Sequence, residues 1–276
     1  PHIQHAPMEP RAAVAEWVDG KLTVWTGTQN PFGVQQQLQQ AFRISADKVR
    51  VIEPGSGGGF GGKHTGEVAI EAARMAKEAG KPVHLLWTRA EEFTWAYCRP
   101  AGLFEIEAAL DANGQITAWD FASYNAGAAG LDTPYKVPNV RTRFYTCDSP
   151  LREGSYRGIA ATTNNFAREC FMDELAALAN LDPLAFRLAN CENPRLRDVI
   201  TAVTDKFNWK SRRKQPKPNT ASGLAAGFEK GSYVAACAEV TTDPKTGFAI
   251  TEFHMAFECG AILNPSNLRA QVEGSI

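Results

Sequence analysis

Hydrophobic and polar residues alternate with a period of two in three parts of the chain, as in β-hairpins. Residues 12–29 predict a hairpin whose first strand covers about residues 12–18 and whose turn is DGK. Residues 103–127 predict a second hairpin that turns at an Asn-Gly pair, and residues 232–260 predict two strands around PKTG. These segments predict antiparallel strand pairs that are far apart in sequence.

Other segments have apolar residues at the three- and four-residue spacing of a helix. Residues 31–45 predict a helix that packs by one face, and residues 65–81 predict a helix with Thr65 as N-cap and Gly80 as stop. Residues 164–188 predict two helices broken near Asp182-Pro183, and short strands are predicted at residues 48–54 and 82–89. Because strands and helices mix without a repeat, we predict an α+β fold with mixed sheets and packed helices.

Composition narrows the class of protein. The chain has 276 residues, 44% hydrophobic and 21% charged, which suits one large or two ordinary domains. No apolar run approaches the roughly 20 residues that cross a bilayer. The net charge of −1 argues against a nucleic-acid binder. The basic, proline-rich residues 205–223 therefore predict an exposed linker and not a nucleic-acid patch.

The six cysteines form no C-x-x-C pair, which disfavours zinc or iron–sulfur sites built on paired cysteines. The strongest candidate for chemistry is instead a glycine loop, which we define as residues 55–63. It matches the G-x-x-x-x-G-K pattern of nucleotide-binding P-loops, but His64 stands where a magnesium-binding Ser or Thr is required.

The same glycines match the dinucleotide pattern G-x-G-x-x-G, but no acidic residue closes the next predicted strand. A structural turn without a ligand is a further alternative. Phe60 argues against a plain turn, because an aromatic ring within glycines suits packing on something flat. Free N–H groups before a helix also suit an anionic or electron-rich group.

Four segments, in order, resemble the molybdenum-cofactor-binding large subunits of the xanthine dehydrogenase/aldehyde oxidase family. They are QHAPMEP (residues 4–10), GGGFGGK (57–63), GSYRGIAATTNNFARE (154–169) and ECGAILNPSNLRAQVEGSI (258–276). GKHTGE and WTRAEEFTWAYCRPAG look closer to the branch that acts on N-heteroaromatics, which includes nicotinate dehydrogenase and isoquinoline oxidoreductase-like subunits.

The resemblance implies a fold, a cofactor and a partner. It implies a first molybdopterin-binding domain at residues 1–190, then a linker and a partial second molybdopterin-binding domain at residues 191–276. The implied cofactor is molybdopterin, in its cytosine dinucleotide form, with molybdenum. The implied reaction oxidises an N-heteroaromatic or aldehyde substrate with oxygen from water, and electrons leave to an iron–sulfur subunit or domain.

The resemblance also implies roles for single residues. The residues expected at the cofactor are Gln4, Gly59, Phe60, Gly61, Arg157 and Gln271. Gln4 would bind an oxo ligand of molybdenum, and the planar fork of Arg157 suits the pterin or another anionic group. A surface amide, a salt bridge and a structural role remain the alternatives for Gln4, Arg157 and Gln271. No residue is expected to ligate the metal directly, and His5 and Glu9 are expected to support Gln4.

The sequence departs from the purine-oxidising relatives at three expected substrate positions. His64 stands where those relatives have a glutamate, and Tyr156 and Ile159 stand where two aromatic residues sandwich the purine. The region NAGAAG lacks their substrate-orienting arginine. Purine hydroxylation is therefore not expected, and His64 could bind a carboxylate or a ring nitrogen.

The resemblance places the catalytic glutamate, the general base, beyond Ile276, and Glu273 is not that residue. We expect this chain to be a central piece of a molybdenum subunit, which alone binds little or no molybdopterin and has no turnover. The alternative from another class is a non-catalytic scaffold or binding module that has lost the cofactor.

Overall fold

The computed structural model describes all residues 1–276, which divide into two compact units. The first unit contains residues 1–101 and 148–159, and the second contains residues 102–147 and 160–276. The sequence-based boundary at residue 190 follows the motifs and stays a prediction. No helix combines the length and apolar character needed to span a membrane.

The first unit is built on one four-stranded sheet. Its elements are β1 (Ala12–Val18), β2 (Lys21–Thr26), α1 (Pro31–Phe42), a 3₁₀ turn (Ala46–Lys48), β3 (Val49–Ile52), α2 (Glu67–Ala79), β4 (Val83–Leu86) and α3 (Arg89–Trp95). The strand order is β3-β2-β1-β4, with β2 and β3 parallel and the other pairs antiparallel. Small residues of α2 and branched residues of α1 cover one face, which buries a core that includes Val24, Leu38 and Ala72.

The second unit has two three-stranded sheets, with orders β5-β6-β7 and β10-β9-β8. Its elements are β5 (Leu103–Leu110), β6 (Ile116–Tyr124), β7 (Asn139–Tyr145), α4 (Ala161–Leu178), α5 (Pro183–Ala189), α6 (Pro194–Phe207), α7 (Trp209–Lys214), β8 (Thr220–Glu229), β9 (Ser232–Asp243), β10 (Gly247–Glu258) and α8 (Pro265–Glu273). Side chains of both sheets and of α4 to α6 share one core around Trp119, Phe186 and Phe207.

Most predicted elements are present. The three hairpins, the helix that ends at a left-handed Gly80, and the helix break at Asp182 are confirmed, and Asp182 caps α5 by accepting from the N–H of Leu184 at 3.0 Å. The mixed α+β class is also confirmed. The N-cap prediction is wrong: Gly66 is the N-cap of α2, and Thr65 Oγ1 instead donates to Glu67 Oε1 at 2.9 Å.

The exposed-linker prediction is also wrong. Residues 205–223 include the end of α6, all of α7 and the start of β8. Trp209 is only 2% exposed, and its indole N–H donates to Asp182 Oδ1 at 3.1 Å. Arg212 pairs with Glu239 and Glu252, so part of the basic run is neutralised within the fold. A buried tryptophan and paired charges order a segment whose composition resembles a linker.

Candidate functional site in the first unit

The glycine loop connects β3 to α2, and close packing requires glycine at several of its positions. A Cβ atom at Gly57 would lie 2.5 Å from Glu9 Cβ, and one at Gly59 would lie 2.5 Å from Gln29 Oε1. Gly61 has a left-handed backbone with φ of +93°, and a Cβ there would lie 2.9 Å from the carbonyl oxygen of Ser155. The backbone therefore approaches its neighbours more closely than any side chain allows.

Two side chains from distant segments hold the loop by its N–H groups. Gln29 Oε1 accepts from the N–H of Gly61 at 3.0 Å and of Lys63 at 3.3 Å. Glu9 Oε2 accepts from the N–H of Gly57 at 2.6 Å and from the buried Lys63 Nζ at 2.9 Å. Both ends of the loop are thus fixed by the protein itself.

The middle of the loop is not held by hydrogen bonds from its own N–H groups. The N–H groups of Gly58, Gly59 and Phe60 donate to no group of the protein. Phe60 has a φ of +53°, which is uncommon for a residue with a side chain, and 44% of it is exposed. The loop therefore offers three free donors and an exposed aromatic ring, which fits an electron-rich, flat group.

The Arg-Gly segment, defined as residues 154–159, lies against this loop. The N–H of Arg157 donates to the carbonyl oxygen of Phe60 at 2.8 Å. The segment ends in a tight turn, in which the N–H of Ile159 donates to the carbonyl oxygen of Tyr156 at 2.7 Å. Ile159 is left-handed and 42% exposed, while Tyr156 is half-buried. The structure thus brings Phe60 and Gly61 together with the predicted positions 156, 157 and 159.

His5 and Tyr97 lie beneath this junction. His5 Nε2 donates to the carbonyl oxygen of Ser155 at 2.6 Å, and its ring centroid is 4.8 Å from that of Tyr156. The ring centroids of Tyr97 and His5 are 5.5 Å apart with the rings nearly perpendicular, and the Tyr97 hydroxyl donates to the carbonyl oxygen of Gly61. His5 therefore supports the loop junction, whereas the resemblance implied that it supports Gln4.

Burial sets the protonation of these two rings. Desolvation lowers the pKa of His5, and the positive charge of Arg11 lowers it further against the opposing hydrogen bond to Ser155. Desolvation raises the pKa of Tyr97, so its hydroxyl keeps the proton that it donates to Gly61. Both rings are uncharged near neutral pH.

A buried ion pair fixes the C-terminal end of the loop at Gly62. Arg11 is 3% exposed and pairs with Glu92, and its other terminal nitrogen donates to the carbonyl oxygen of Gly62. The N–H of Arg11 also donates to Glu92 at 2.9 Å, and Tyr97 packs on the guanidinium at 5.7 Å. The charge is thus neutralised inside the fold, which points to a structural role for Arg11.

The remaining predicted residues are placed as follows. Gln4 precedes His5, and its amide nitrogen donates to the carbonyl oxygens of Ala96 at 3.3 Å and Phe93 at 3.5 Å. The N–H of His64 donates to the Tyr97 hydroxyl at 3.4 Å, and its imidazole is partly exposed. Gln271 lies on α8 in the second unit and is exposed. The roles predicted for these three residues stay predictions.

Sequence reasoning missed Gln29 and gave Tyr97 no role. Gln29 reaches the loop from more than 30 positions upstream, where a glutamine in a polar stretch carries no signal of its own. Tyr97 lies in the segment TWAYCRPAG, which indicates only a branch of the family. No cluster of three or more His, Cys, Asp or Glu side chains is arranged to hold a metal ion. The donors are N–H groups, which suit a hydrogen-bonded cofactor.

Comparison with known proteins identifies the family. Two family models, each described as a molybdopterin cofactor-binding domain, match residues 1–191 and 158–276. A nicotinate dehydrogenase subunit of Pseudomonas putida is 26% identical over the whole chain, and the beta subunit of isoquinoline 1-oxidoreductase from Brevundimonas diminuta is 29% identical over 99% of it. The chain spans 26% and 38% of the lengths of these two relatives.

Solved structures share the fold. Quinoline 2-oxidoreductase from Pseudomonas putida 86 superposes with a TM-score of 0.71 at 24% identity, over 85% of this chain and 34% of that chain. A CO dehydrogenase from Oligotropha carboxidovorans superposes with a TM-score of 0.69 at 17% identity, over 94% of this chain and 39% of that chain. The family and the fold predicted from the four motifs are both confirmed.

Proposed function

Since the chain belongs to the family of molybdopterin cofactor-binding domains, we propose that it forms part of a molybdenum hydroxylase subunit. The proposed reaction oxidises an N-heteroaromatic or aldehyde substrate with oxygen from water and passes electrons to an iron–sulfur partner. The observation that carries this proposal is the open middle of the glycine loop. Gly58, Gly59 and Phe60 present free N–H groups in a chain of this family.

The proposal assigns the cofactor contacts to Gln4, Gly59, Phe60, Gly61, Arg157 and Gln271. When bound, molybdopterin supplies a molybdenum centre that exchanges oxygen and electrons with the substrate. Gly59 and Phe60 would donate N–H groups to it, and the Phe60 ring would exclude water from one side. Glu9, Gln29 and Tyr97 hold the loop in the required shape before the cofactor arrives, so that little ordering remains to be done on binding.

The substrate would contact His64, Tyr156 and Ile159. This assignment is supported by the exposure of Ile159 and by the proximity of Tyr156 to Gly61, where a Cβ would lie 3.1 Å from Tyr156 Cα. The partly exposed imidazole of His64 can donate to a carboxylate or a ring nitrogen. The general base is expected outside these residues, so the chain's own contribution is binding and orientation.

The cofactor form and the partner are parts of the same proposal. The cytosine dinucleotide form is expected from the resemblance alone. Several relatives are named as subunits, which supports a separate polypeptide that carries the electrons onward.

The test uses the full-length subunit assembled with its iron–sulfur partner. We expect stoichiometric molybdenum by elemental analysis, release of cytidine monophosphate on acid hydrolysis, and transfer of ¹⁸O from labelled water into a hydroxylated N-heteroaromatic or a carboxylic acid. An assembled protein without molybdenum or pterin would refute the proposal and favour a non-catalytic scaffold. Stoichiometric molybdenum on the 276-residue chain alone would refute the expectation that this piece binds little cofactor.

Two alanine variants of the loop give a matched comparison. Gly61→Ala forces a Cβ into a left-handed position against Ser155 and should lower the molybdenum content several-fold, because the open N–H groups shift. Gly55→Ala adds a Cβ with no atom within 4 Å and should leave the content unchanged. Equal molybdenum content in the two variants would contradict a role for the loop in holding the cofactor.

A further inference from the structure

Arg99 lies close to the junction of the glycine loop and the Arg-Gly segment, and the function proposed above does not use it. Its N–H donates to the carbonyl oxygen of Ile3 at 2.9 Å in an isolated β-bridge. Its guanidinium carbon is 5.6 Å from the centroid of the Tyr156 ring. The side chain is partly buried, and all of these residues belong to the first unit.

The guanidinium of Arg99 has no hydrogen-bond or ion-pair partner. Its Nε atom is buried and makes no hydrogen bond, and no ion pair or side-chain hydrogen bond of the structure involves this residue. Buried polar groups are normally satisfied, so a buried, unpaired guanidinium nitrogen needs an explanation. The ring of Tyr156 attracts the charge but does not accept the N–H groups in the plane of the fork.

Other arginines of the same unit, unlike Arg99, form ion pairs. Arg11 pairs with Glu92, and Arg152 pairs with Glu67. Glu153, which lies opposite Cys98 in a β-bridge, contacts His2 Nδ1 at 3.3 Å and does not pair with Arg99. The buried cations Arg11 and Lys63 are thus each paired with a carboxylate, whereas the guanidinium of Arg99, next to the site, is not.

We infer that Arg99 is an oxyanion-binding residue of this site and that Tyr156 holds its guanidinium in place. The planar fork of an arginine binds a carboxylate or a phosphate through two parallel hydrogen bonds. Tyr156 joins this position to the loop, because its backbone packs on Gly61 and its ring contacts His5. His5 is uncharged near neutral pH, so Arg99 carries the positive charge of this group of rings.

The oxyanion has two possible sources. One is a carboxylate on the substrate, which would make the enzyme selective for aromatic acids. The other is a phosphate group of the bound cofactor. Both have the same chemistry at Arg99, but they differ in which measurement changes when the guanidinium is removed. The inference rests on the proposed function, since it takes the loop to be the cofactor and substrate site.

The experiment compares Arg99→Gln with the wild type in the assembled enzyme. Benzoate and benzamide serve as a charged and a neutral aromatic probe, whose binding is measured by calorimetry, and cofactor content is measured as bound molybdenum and phosphate. If the substrate supplies the oxyanion, Arg99→Gln should weaken benzoate binding roughly ten- to hundredfold and leave benzamide binding and cofactor content unchanged. If the cofactor supplies it, cofactor content should fall and the benzoate preference should stay.

Arg99→Lys keeps the charge but loses the fork, and it should give an intermediate effect in whichever measurement changes. Arg74→Gln is the control, because Arg74 is exposed on α2 in the same unit and should change nothing. Thermal unfolding of each variant separates a loss of binding from a loss of folding.

The result that overturns the inference is an Arg99→Gln enzyme with wild-type cofactor content and wild-type affinity for both probes. In that case Arg99 only packs on Tyr156. A failure of the proposed function would look different, because the wild-type enzyme itself would then lack molybdenum. Benzoate binding to that molybdenum-free wild type, compared with its Arg99→Gln variant, would still report on the oxyanion position.

Discussion

Side chains that accept several hydrogen bonds organise both units, but they leave different groups without a partner. The comparison is between Glu169 in the second unit and the pair Glu9 and Gln29 in the first. In the second unit, Glu169 accepts from the Tyr135 hydroxyl at 3.0 Å, from Arg187 Nε at 2.9 Å and from the N–H of Ala226 at 3.0 Å. All three of these partners are buried core groups, and both carboxylate oxygens of Glu169 accept hydrogen bonds from within the fold. Glu9 and Gln29 instead fix the two ends of a loop whose middle stays open.

The difference shows how to tell a structural polar network from a functional one. A network that satisfies every member stabilises a fold and has nothing left to bind with. A network that satisfies the neighbours of three free N–H groups holds donors in place for another molecule. Substitutions in the two regions should therefore differ in what they damage, namely stability in the second unit and cofactor binding in the first.

The largest effect on stability is expected for Glu169→Gln. It leaves the fully buried Arg187 guanidinium without its main counter-charge, and breaking a buried pair typically costs about 3–5 kcal/mol. Urea unfolding of the chain measures the change in the free energy of unfolding. Glu174→Gln on the exposed face of the same helix is the control and should change it by less than about 0.5 kcal/mol. Equal effects of the two variants would contradict a closed network.

A smaller loss of stability is expected for Gln29→Ala. The N–H groups of Gly61 and Lys63 lose their acceptor, but Gln29 is exposed and water can replace it in part, so the cost should be about 1 kcal/mol. Hydrogen exchange should quicken at these two amides, and the assembled subunit should lose molybdenum. Gln29→Glu, which keeps an acceptor at this position, should restore protection. Unchanged exchange in the alanine variant would show that the loop is held by other contacts.

The pH dependence should separate His5 from Glu9. The folded pKa of His5 lies below its usual value of 6.5, mainly because of desolvation, so stability should fall as pH drops below 6.5 through the folded pKa. Burial acts to raise the pKa of Glu9, but the hydrogen bonds from Lys63 and Gly57 outweigh it and lower the pKa below 4.5. The stability that Glu9 contributes is therefore present above pH 4.5 and lost as pH falls through that lower value.

Urea unfolding from neutral pH down to about pH 3 measures both effects. His5→Gln should remove the loss that begins below pH 6.5, and Glu9→Gln should remove only the loss that begins below pH 4.5. His84→Gln, on the exposed side of β4, is the control for a histidine that has no place in the loop network. If His5→Gln and His84→Gln give the same pH profile, the burial of His5 contributes nothing to the acid response.

The smallest effect on stability is expected for His64→Ala. Only the backbone N–H of His64 contacts Tyr97, so the free energy of unfolding should change by less than about 0.5 kcal/mol. In the assembled enzyme the KM for an N-heteroaromatic substrate should rise strongly, because the imidazole is proposed to bind that substrate. A KM that barely moves would make His64 a structural residue.

Local sequence patterns account for the secondary-structure elements of this protein, whereas contacts between distant segments account for how the glycine loop is held. The α2 helix, its Gly80 end and the Asp182 cap follow from residues that are neighbours in sequence. The family, and with it the glycine loop, could be predicted from short motifs. The support of the loop by Gln29 could not, because it depends on a contact between segments far apart.

The error at residues 205–223 has the same physical origin. Proline and basic residues favour an exposed loop in isolation, but burial of Trp209 and pairing of Arg212 with Glu239 outweigh that preference. Tertiary contacts of this kind cannot be recognised from the residues that surround them in the sequence. The unpaired state of Arg99 is likewise visible only once every other charge near it has been placed.

The discontinuity of the first unit has a consequence for how the chain folds. Residues 148–159 rejoin this unit only after the excursion of residues 102–147 through the other one. Closing this long loop lowers the conformational entropy of the chain, and the hydrogen bond between Arg157 and Phe60 can offset that loss only after the loop has closed. The sheet can form early, whereas the junction of the glycine loop and the Arg-Gly segment must form late. The amide of Arg157 should therefore exchange with solvent sooner than those of the central strands, and a nascent chain would gain its binding competence only near the end of folding.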